Sequence, residues 1–331
     1  MPSQEGMRVF IAGAAGVLGL PLARRLVEAG HRVTGLTRSA SKQDLIESAG
    51  ADAVIADALD REAVEAAVRA SRPTHVVNLL TALPPGGARS PRDLRSTNRL
   101  RVEGSRNLLA AALEAGARRV VAESFLAVYG FPGKAGKLDE ETALYPIESK
   151  HPFSETVMAL RSLEQLHQDA RRQGAVECVI LRFGLLYGPG VVSTERMLRN
   201  LSRGRLWLPV PLTGTSSWIH VEDAVSALAA AMDEDLPGGI YNICDNQPAG
   251  LSQAVEVARQ ILAAHPPRSF PAWLLSWIAP MVASMAAAHW AMDNRKARRV
   301  LGWQPTFFTL HEGFASLVGT TAGPSGGVRR G

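Results

Sequence analysis

The sequence predicts a doubly wound α/β fold with a parallel sheet, and three observations carry that prediction. Short apolar runs of strand length alternate with amphipathic stretches of helix length from the first residues onward. A glycine-rich turn sits directly between the first strand and the first helix. No internal repeat interrupts the alternation.

Each element follows from its local pattern. Arg8-Val9-Phe10-Ile11-Ala12 is an apolar run ending at a glycine, after which helical periodicity runs through Leu20, Leu26 and Ala29 until Gly30 stops it. A second strand, Arg32 to Thr37, follows at once. Residues 53–55 supply a third strand and 75–80 a fourth, with a helix over 61–70 between them. Residues 118–122 and 179–183 give two more, each after a long helical stretch. Six such strands alternating with helices describe a Rossmann-like sheet, which binds ligands at the carboxyl ends of its strands. We assign residues 7–190 to this nucleotide-binding domain. Later segments around 216–245, including a helix over 221–232, complete its layers. Residues 191–318 are read mainly as a smaller substrate-binding and lid region. The tail 319–331 has one Val as its only core-forming residue and is expected to lack a fixed fold.

Composition excludes several classes. Of the 331 residues 46% are hydrophobic and 20% charged, a soluble globular balance rather than a disordered one. The net charge is +5, but Arg and Lys are scattered and no basic run is interleaved with aromatics, so no nucleic-acid partner is expected. Cys178 and Cys244 both lie in apolar runs without metal-ligand spacing, as buried thiols in a reducing compartment would. The opening residues lack the apolar core of a signal peptide, and a cytoplasmic location is the expectation. Residues 272–291 carry no formal charge over a bilayer-spanning length of about 20 residues. Ser276, Pro280, Ser284 and His289 interrupt them, so the stretch reads as a packed lid or core segment and no membrane partner is expected.

The turn Gly13-Ala14-Ala15-Gly16-Val17-Leu18-Gly19 has the strand-then-helix context that a dinucleotide fingerprint requires. Gly13 permits the tight turn, Gly16 lets the backbone approach a pyrophosphate at the helix N-terminus, and Gly19 allows close helix–sheet packing. The end of the second strand selects between the two nicotinamide cofactors. An NAD binder places Asp or Glu there for the ribose hydroxyl; this chain has Thr37-Arg38-Ser39, with Lys42 just beyond. Cations without an acid suit a 2′-phosphate, so the expected cofactor is NADP(H). Asp57, after the third strand, either accepts from the adenine amino group or caps the helix that starts near Asp60.

With these features the chain resembles an extended short-chain dehydrogenase/reductase of the epimerase/dehydratase type over nearly its whole length. The stretches that carry the resemblance are Gly13 to Gly19, Asp57 and the turn Val128-Tyr129-Gly130. Further on they are residues 181–190, Trp218-Ile219-His220-Val221-Glu222-Asp223-Ala224, Gly239-Ile240-Tyr241-Asn242-Ile243 and Leu301-Gly302-Trp303-Gln304-Pro305. The resemblance implies cofactor contacts from Ala15, Val17 and Leu18 in the loop, from Asp57 and Ala58, from Leu79, Leu80 and Thr81, from Ser124, and from Phe183 and Leu185 at the nicotinamide end.

The departures say more. Family enzymes place Tyr and Lys one turn apart on the helix after the fifth strand, where the Lys lowers the Tyr pKa and the Tyr transfers the proton. Counting back from Glu164, those positions hold Thr156 and Leu160, and neither does that work. The family hydroxyl four residues before Tyr129 is Phe125, with Ser124 one place earlier. Ser124 and Thr81 can hydrogen-bond a substrate oxygen, but hydroxyls of such high pKa are poor proton sources. Tyr145 and Lys150 are separated by Pro146 and do not share a helical face. His220 and Asp223 read as residues that cap or brace a helix start.

Three readings follow: an NADPH-dependent ketoreductase, a non-catalytic NADP(H)-binding sensor, and a nucleotide-sugar epimerase or dehydratase. The last needs a strong base at position 156 and ranks lowest. The reductase ranks first because the chain keeps a full later region with an apolar stretch over 270–278, for which core packing and a pocket role weigh equally. That stretch suits a bulky aromatic ketone, and with the missing Tyr it resembles actinobacterial ketoreductases of aromatic polyketides, the angucyclinone ketoreductases among them. The expected mechanism takes the proton from the substrate's own phenol or from solvent. Oligomeric state leaves no signal in the sequence.

Overall fold

The computed structural model describes residues 6–84, 87–88 and 90–319. Its centre is a seven-stranded sheet: β1 (Arg8–Ala12), β2 (Arg32–Thr37), β3 (Asp52–Ile55), β4 (His75–Asn78), β5 (Arg119–Phe125), β6 (Glu177–Phe183) and β7 (Gly239–Ile243). The strands run parallel in the order β3-β2-β1-β4-β5-β6-β7. This is the doubly wound sheet that the alternation predicts. The chain leaves β1 in one direction and returns at β4 on its other side, so the crevice between these two carboxyl ends is the topological switch point.

Both faces of the sheet are covered. On one, α1 (Gly19–Glu28) and α5 (Val221–Ala230) pack Leu22, Leu26, Val225 and Leu228 onto Val77, Val121 and Leu181. On the other, α2 (Arg61–Ser71), α3 (Ser105–Glu114) and α4 (Ser154–Arg172) cover Phe10, Val76 and Val120. Each leucine sealed in these layers contributes about 1.5–3 kcal/mol of burial. Strands covered on both sides read as continuous apolar runs, which made them legible. Cys178 and Cys244 are buried free thiols, and burial pushes the Cys178 pKa up to about 12.

The later segments build smaller pieces at the carboxyl edge. Leu185–Tyr187 pairs with Trp218–His220, Trp207–Val210 with Arg268–Pro271, and His289–Met292 with both Thr215–Ser216 and Lys137–Leu138. The last pairing ties residues that follow β5 into this region. Residues 272–291 do not form a single helix, and they enter the core through Met281, Ala288 and Trp290. They begin with α6 (Ala272–Ile278) and α7 (Pro280–Ala287), broken at Ala279 just before Pro280. Trp273, Trp277 and Ile278 are 67%, 83% and 66% exposed, so core packing is not their role. No helix among the described residues is long and apolar enough to cross a membrane. The tail expected to lack a fold lies outside the described residues, except that Gly319 ends the helix Leu310–Gly319.

Candidate cofactor and substrate site

The glycine turn has the geometry its sequence implies. Gly13 adopts φ +90°, a left-handed conformation, and a Cβ there would collide with the Leu79 carbonyl at the end of β4. A Cβ at Gly19 would strike the Gly13 carbonyl and Ala14, so α1 can start this close to the turn only with glycine. Gly16 is exposed and meets nothing but the Gly13 carbonyl, leaving its outer side open. A Cβ at Gly190 would lie 3.5 Å from a Val17 methyl, so the turn after Tyr187 stands beside the loop. The cradle fits a pyrophosphate resting on the first amides of α1.

At the end of β2, Arg38 and Lys42 are exposed, and among the described residues neither has an ion-pair partner. Ser39 hydrogen-bonds Ser41 at 2.8 Å. Asp57 does not cap α2: that role belongs to Asp60, which accepts the Ala63 amide at 3.1 Å. Asp57 accepts the Leu59 amide through Oδ1 in a local turn. Around the cleft, Ala15, Val17, Leu80 and Leu185 are half-buried and Thr81 is exposed. Leu18, Ala58 and Leu79 are buried and shape the floor. Phe183, at the end of β6, is buried in the core.

Ser124 also departs from its expected role. It lies on the face of β5 turned toward α4, fully buried, and donates its proton to Glu164 Oε1 at 2.6 Å. Glu164 in turn accepts from Arg182 Nε at 2.9 Å and Nη2 at 2.7 Å. The guanidinium lies 4.7 Å from the centre of the Tyr129 ring, whose hydroxyl donates to the Asp139 carbonyl and Asn242 Oδ1. This buried network braces β5, β6 and α4, and it takes both Ser124 and Tyr129 out of substrate chemistry. Thr156 and Leu160 are buried on α4; Thr156 Oγ1 accepts from Asn98 Nδ2 at 3.1 Å, and Leu160 packs against Leu126 and Trp290.

Two further charged groups, Glu123 and Arg101, lie near one another. Glu123 sits at the carboxyl end of β5, with no hydrogen-bond or ion-pair partner among the described residues. Burial pushes its carboxyl up to about 6, against the pull of the Arg101 guanidinium. Arg101 stands on a π-helical turn over Leu100–Gly104, a type of irregularity common at functional sites. Its Nη1 is buried without a partner among the described residues, and so is Asn98 Oδ1 one turn earlier.

Helix α7 is anchored nearby. Met281 of α7 packs against Leu94, Phe153 and Val157, the last being the neighbour of Thr156. Trp207, beside the exposed face of α6, carries the Arg268 guanidinium 5.6 Å from its ring centre. His220 caps α5 by accepting the Glu222 amide, and Asp223 accepts the Thr306 and Phe307 amides at 2.7 and 3.0 Å. Both brace the structure.

A parallel sheet with a switch point and a glycine turn between its first strand and first helix define a Rossmann-like fold. The NAD dependent epimerase/dehydratase family matches residues 9–244, and the chain belongs to it. Reductases and an epimerase are among its relatives. It is 40% identical over 314 residues to a 3-diazoavenalumate denitrifying reductase from Streptomyces sp., covering 93% of this chain and 99% of that one. It is 26% identical to the UDP-glucose 4-epimerase of Mycolicibacterium smegmatis, over 94% and 97% of the two chains. In fold it is similar to the Thermotoga maritima UDP-glucose 4-epimerase solved with UDP-glucose, at TM-score 0.79 and 20% identity over 95% and 98% of the chains. The NAD complex of the Thermus thermophilus UDP-glucose 4-epimerase has TM-score 0.77 and 22% identity, over 95% and 98%.

Proposed function

We propose that this chain is an NADPH-dependent reductase that delivers hydride to a bulky aromatic substrate without drawing a proton from a Tyr–Lys pair. The observation behind the proposal is an intact dinucleotide cradle next to a helix bearing Thr156 and Leu160. The cofactor, when bound, supplies a hydride. The chain's own residues hold the pyrophosphate on the glycine turn, meet the 2′-phosphate with Arg38 and Lys42, and present apolar surface along α6.

The Arg38 side of this proposal has a direct test. The native chain is expected to bind NADPH at least about tenfold more tightly than NADH, and Arg38→Ala to erase most of that preference. Fluorescence titration of both cofactors decides it, and equal affinities for the native chain would refute the assignment.

The electrophile we favour is a diazo-bearing carbon in its diazonium form. The reductase of 40% identity named for such a compound supports this choice. Its reduction consumes one hydride: the C–H bond forms, the C–N bond breaks, and N2 leaves with the electrons of that bond. No proton enters, so the missing Tyr and Lys cost the reaction nothing. The second reading is an aromatic ketone with a phenol beside its carbonyl, favoured by the open apolar lid and the exposed Thr81 hydroxyl. Thr81 would hydrogen-bond the oxygen while the substrate's phenol, with a pKa near that of Tyr, gives the proton. An epimerase fits least, because neither Thr156 nor Leu160 can take a proton from a sugar hydroxyl.

The test supplies 4-deuterated NADPH with an arenediazonium carboxylate, and separately with a hydroxyaryl ketone and its O-methyl ether. One N2 per NADPH, with deuterium on the carbon that carried nitrogen, is the expected result. A deuterated alcohol formed from the hydroxy-ketone but not from its ether would establish the second reading. Tight cofactor binding with no turnover of any of them would identify a sensor.

A further inference from the structure

We infer that Glu123 is the charged residue that meets the nicotinamide end of the cofactor, where its carboxylate favours the oxidised, positively charged ring over the reduced, neutral one. This rests on the cofactor reading above and concerns a residue outside the family's Tyr–Lys pair.

The placement comes from the sheet. Side chains alternate along a strand, so Val121, Glu123 and Phe125 share one face of β5 while Ala122 and Ser124 take the other. The family hydroxyl falls on Phe125, and Glu123 is two residues before it on the same face. Asn78 pairs with Ala122, which sets Glu123 one step beyond the end of β4, level with Leu79, and the Leu79 carbonyl lies against Gly13. The glycine cradle ends β1, two strands away, and strands are spaced by about 4.8 Å, so roughly 10 Å separates cradle from carboxylate. Arg38 lies on the other side of the cradle, at the end of β2. A dinucleotide with its 2′-phosphate at Arg38 and its pyrophosphate on the glycines therefore extends its nicotinamide half toward β4 and β5.

The electrostatics fit that placement. Arg101 is the one charge among the described residues that acts on Glu123, and the two stand beyond ion-pair distance. Arg182 and Glu164 lie toward the opposite face, paired at 2.7 Å. His75 is at the other end of β4, facing Glu234 and Arg118. With its carboxyl raised to about 6, Glu123 is mostly ionised at pH 7.5 and mostly neutral at pH 5. An ionised carboxylate in a site shielded from water attracts the positive ring that hydride loss creates. The stabilisation is present above pH 6 and fades as the pH falls through it. The pyrophosphate and 2′-phosphate are the same in both cofactor forms, so their own titration cancels from the ratio of affinities.

The experiment measures the dissociation constants of NADP+ and NADPH for the native chain and for Glu123→Gln, at pH 7.5 and pH 5. At pH 7.5 the substitution should shift the ratio about tenfold toward NADPH. The native ratio should shift the same way on acidification, while that of Glu123→Gln stays flat. A ratio within about twofold of native in Glu123→Gln, with both forms bound, overturns the inference and leaves the cofactor reading standing. Should the variant fail to fold, a native ratio that does not move between the two pH values overturns it equally. If the native chain binds neither form, the cofactor reading and this inference fall together.

Discussion

Glu164→Ala is expected to destabilise the fold by about 3–5 kcal/mol, the usual consequence of removing one partner from a buried ion pair. Glu164 is buried, and three hydrogen bonds from Ser124 and Arg182 converge on its carboxylate. Burial opposes the charge on Arg182, but the hydrogen bonds and charge of Glu164 outweigh it and hold the guanidinium pKa above its usual value. Without Glu164 that cation stays buried with Nη1 already lacking a partner, and Ser124 loses its acceptor. Glu164→Gln keeps the shape and should cost less. Replacing both Glu164 and Arg182 by apolar residues of similar volume should recover part of the loss, because no lone charge remains. Urea unfolding monitored by circular dichroism checks the series. A shift for Glu164→Ala worth less than about 1 kcal/mol would show that the network does not brace the sheet.

Gly13→Ala is expected to weaken cofactor binding by about 100-fold, roughly 2.7 kcal/mol, while the sheet remains folded. Two effects combine: a left-handed backbone costs a residue with a Cβ about 1–2 kcal/mol, and that Cβ collides with the Leu79 carbonyl. The turn must shift, and with it the amides that meet the pyrophosphate. Gly116→Ala is the matched control. Gly116 has φ +70° but open space around a Cβ, at the end of α3 far from the cradle. It should lose a comparable amount of stability from backbone strain and no cofactor affinity. Thermal unfolding and NADPH titration of the two variants separate strain from site. Equal affinity losses would mean that the cradle contributes nothing particular.

The parts of this protein written in the sequence are those whose causes are local. β1, the glycine turn and α1 follow one another within a short window, and their periodicity, glycines and stop signal are physical requirements of that window alone. The expectation that Thr156 and Leu160 stand at the Tyr and Lys positions is equally local, because it rests on helical spacing counted along α4. Glu123 leaves no such mark, because the apolar run of this strand ends at Ala122. Glu and Ser are weak strand formers, so β5 appeared to stop where it continues to Phe125. Its alternation past Val121 is the signal that puts Glu123 on the face of Val121. Ser124 looked like a free hydroxyl because its acceptor, Glu164, is 40 residues away. Asp57 and Asp60 offered the same capping chemistry, and only the start of α2 decided between them. The apolar stretch after Pro271 showed by composition that it avoids charge. Whether its tryptophans face the core or open space depends on the break before Pro280 and on Met281 finding Phe153 and Val157. Sequence alone therefore determined the sheet and the glycine turn, since each rests on neighbours in the chain. Tertiary structure decided which polar groups are spent on one another and which are left for a ligand, since that depends on contacts between residues far apart in sequence.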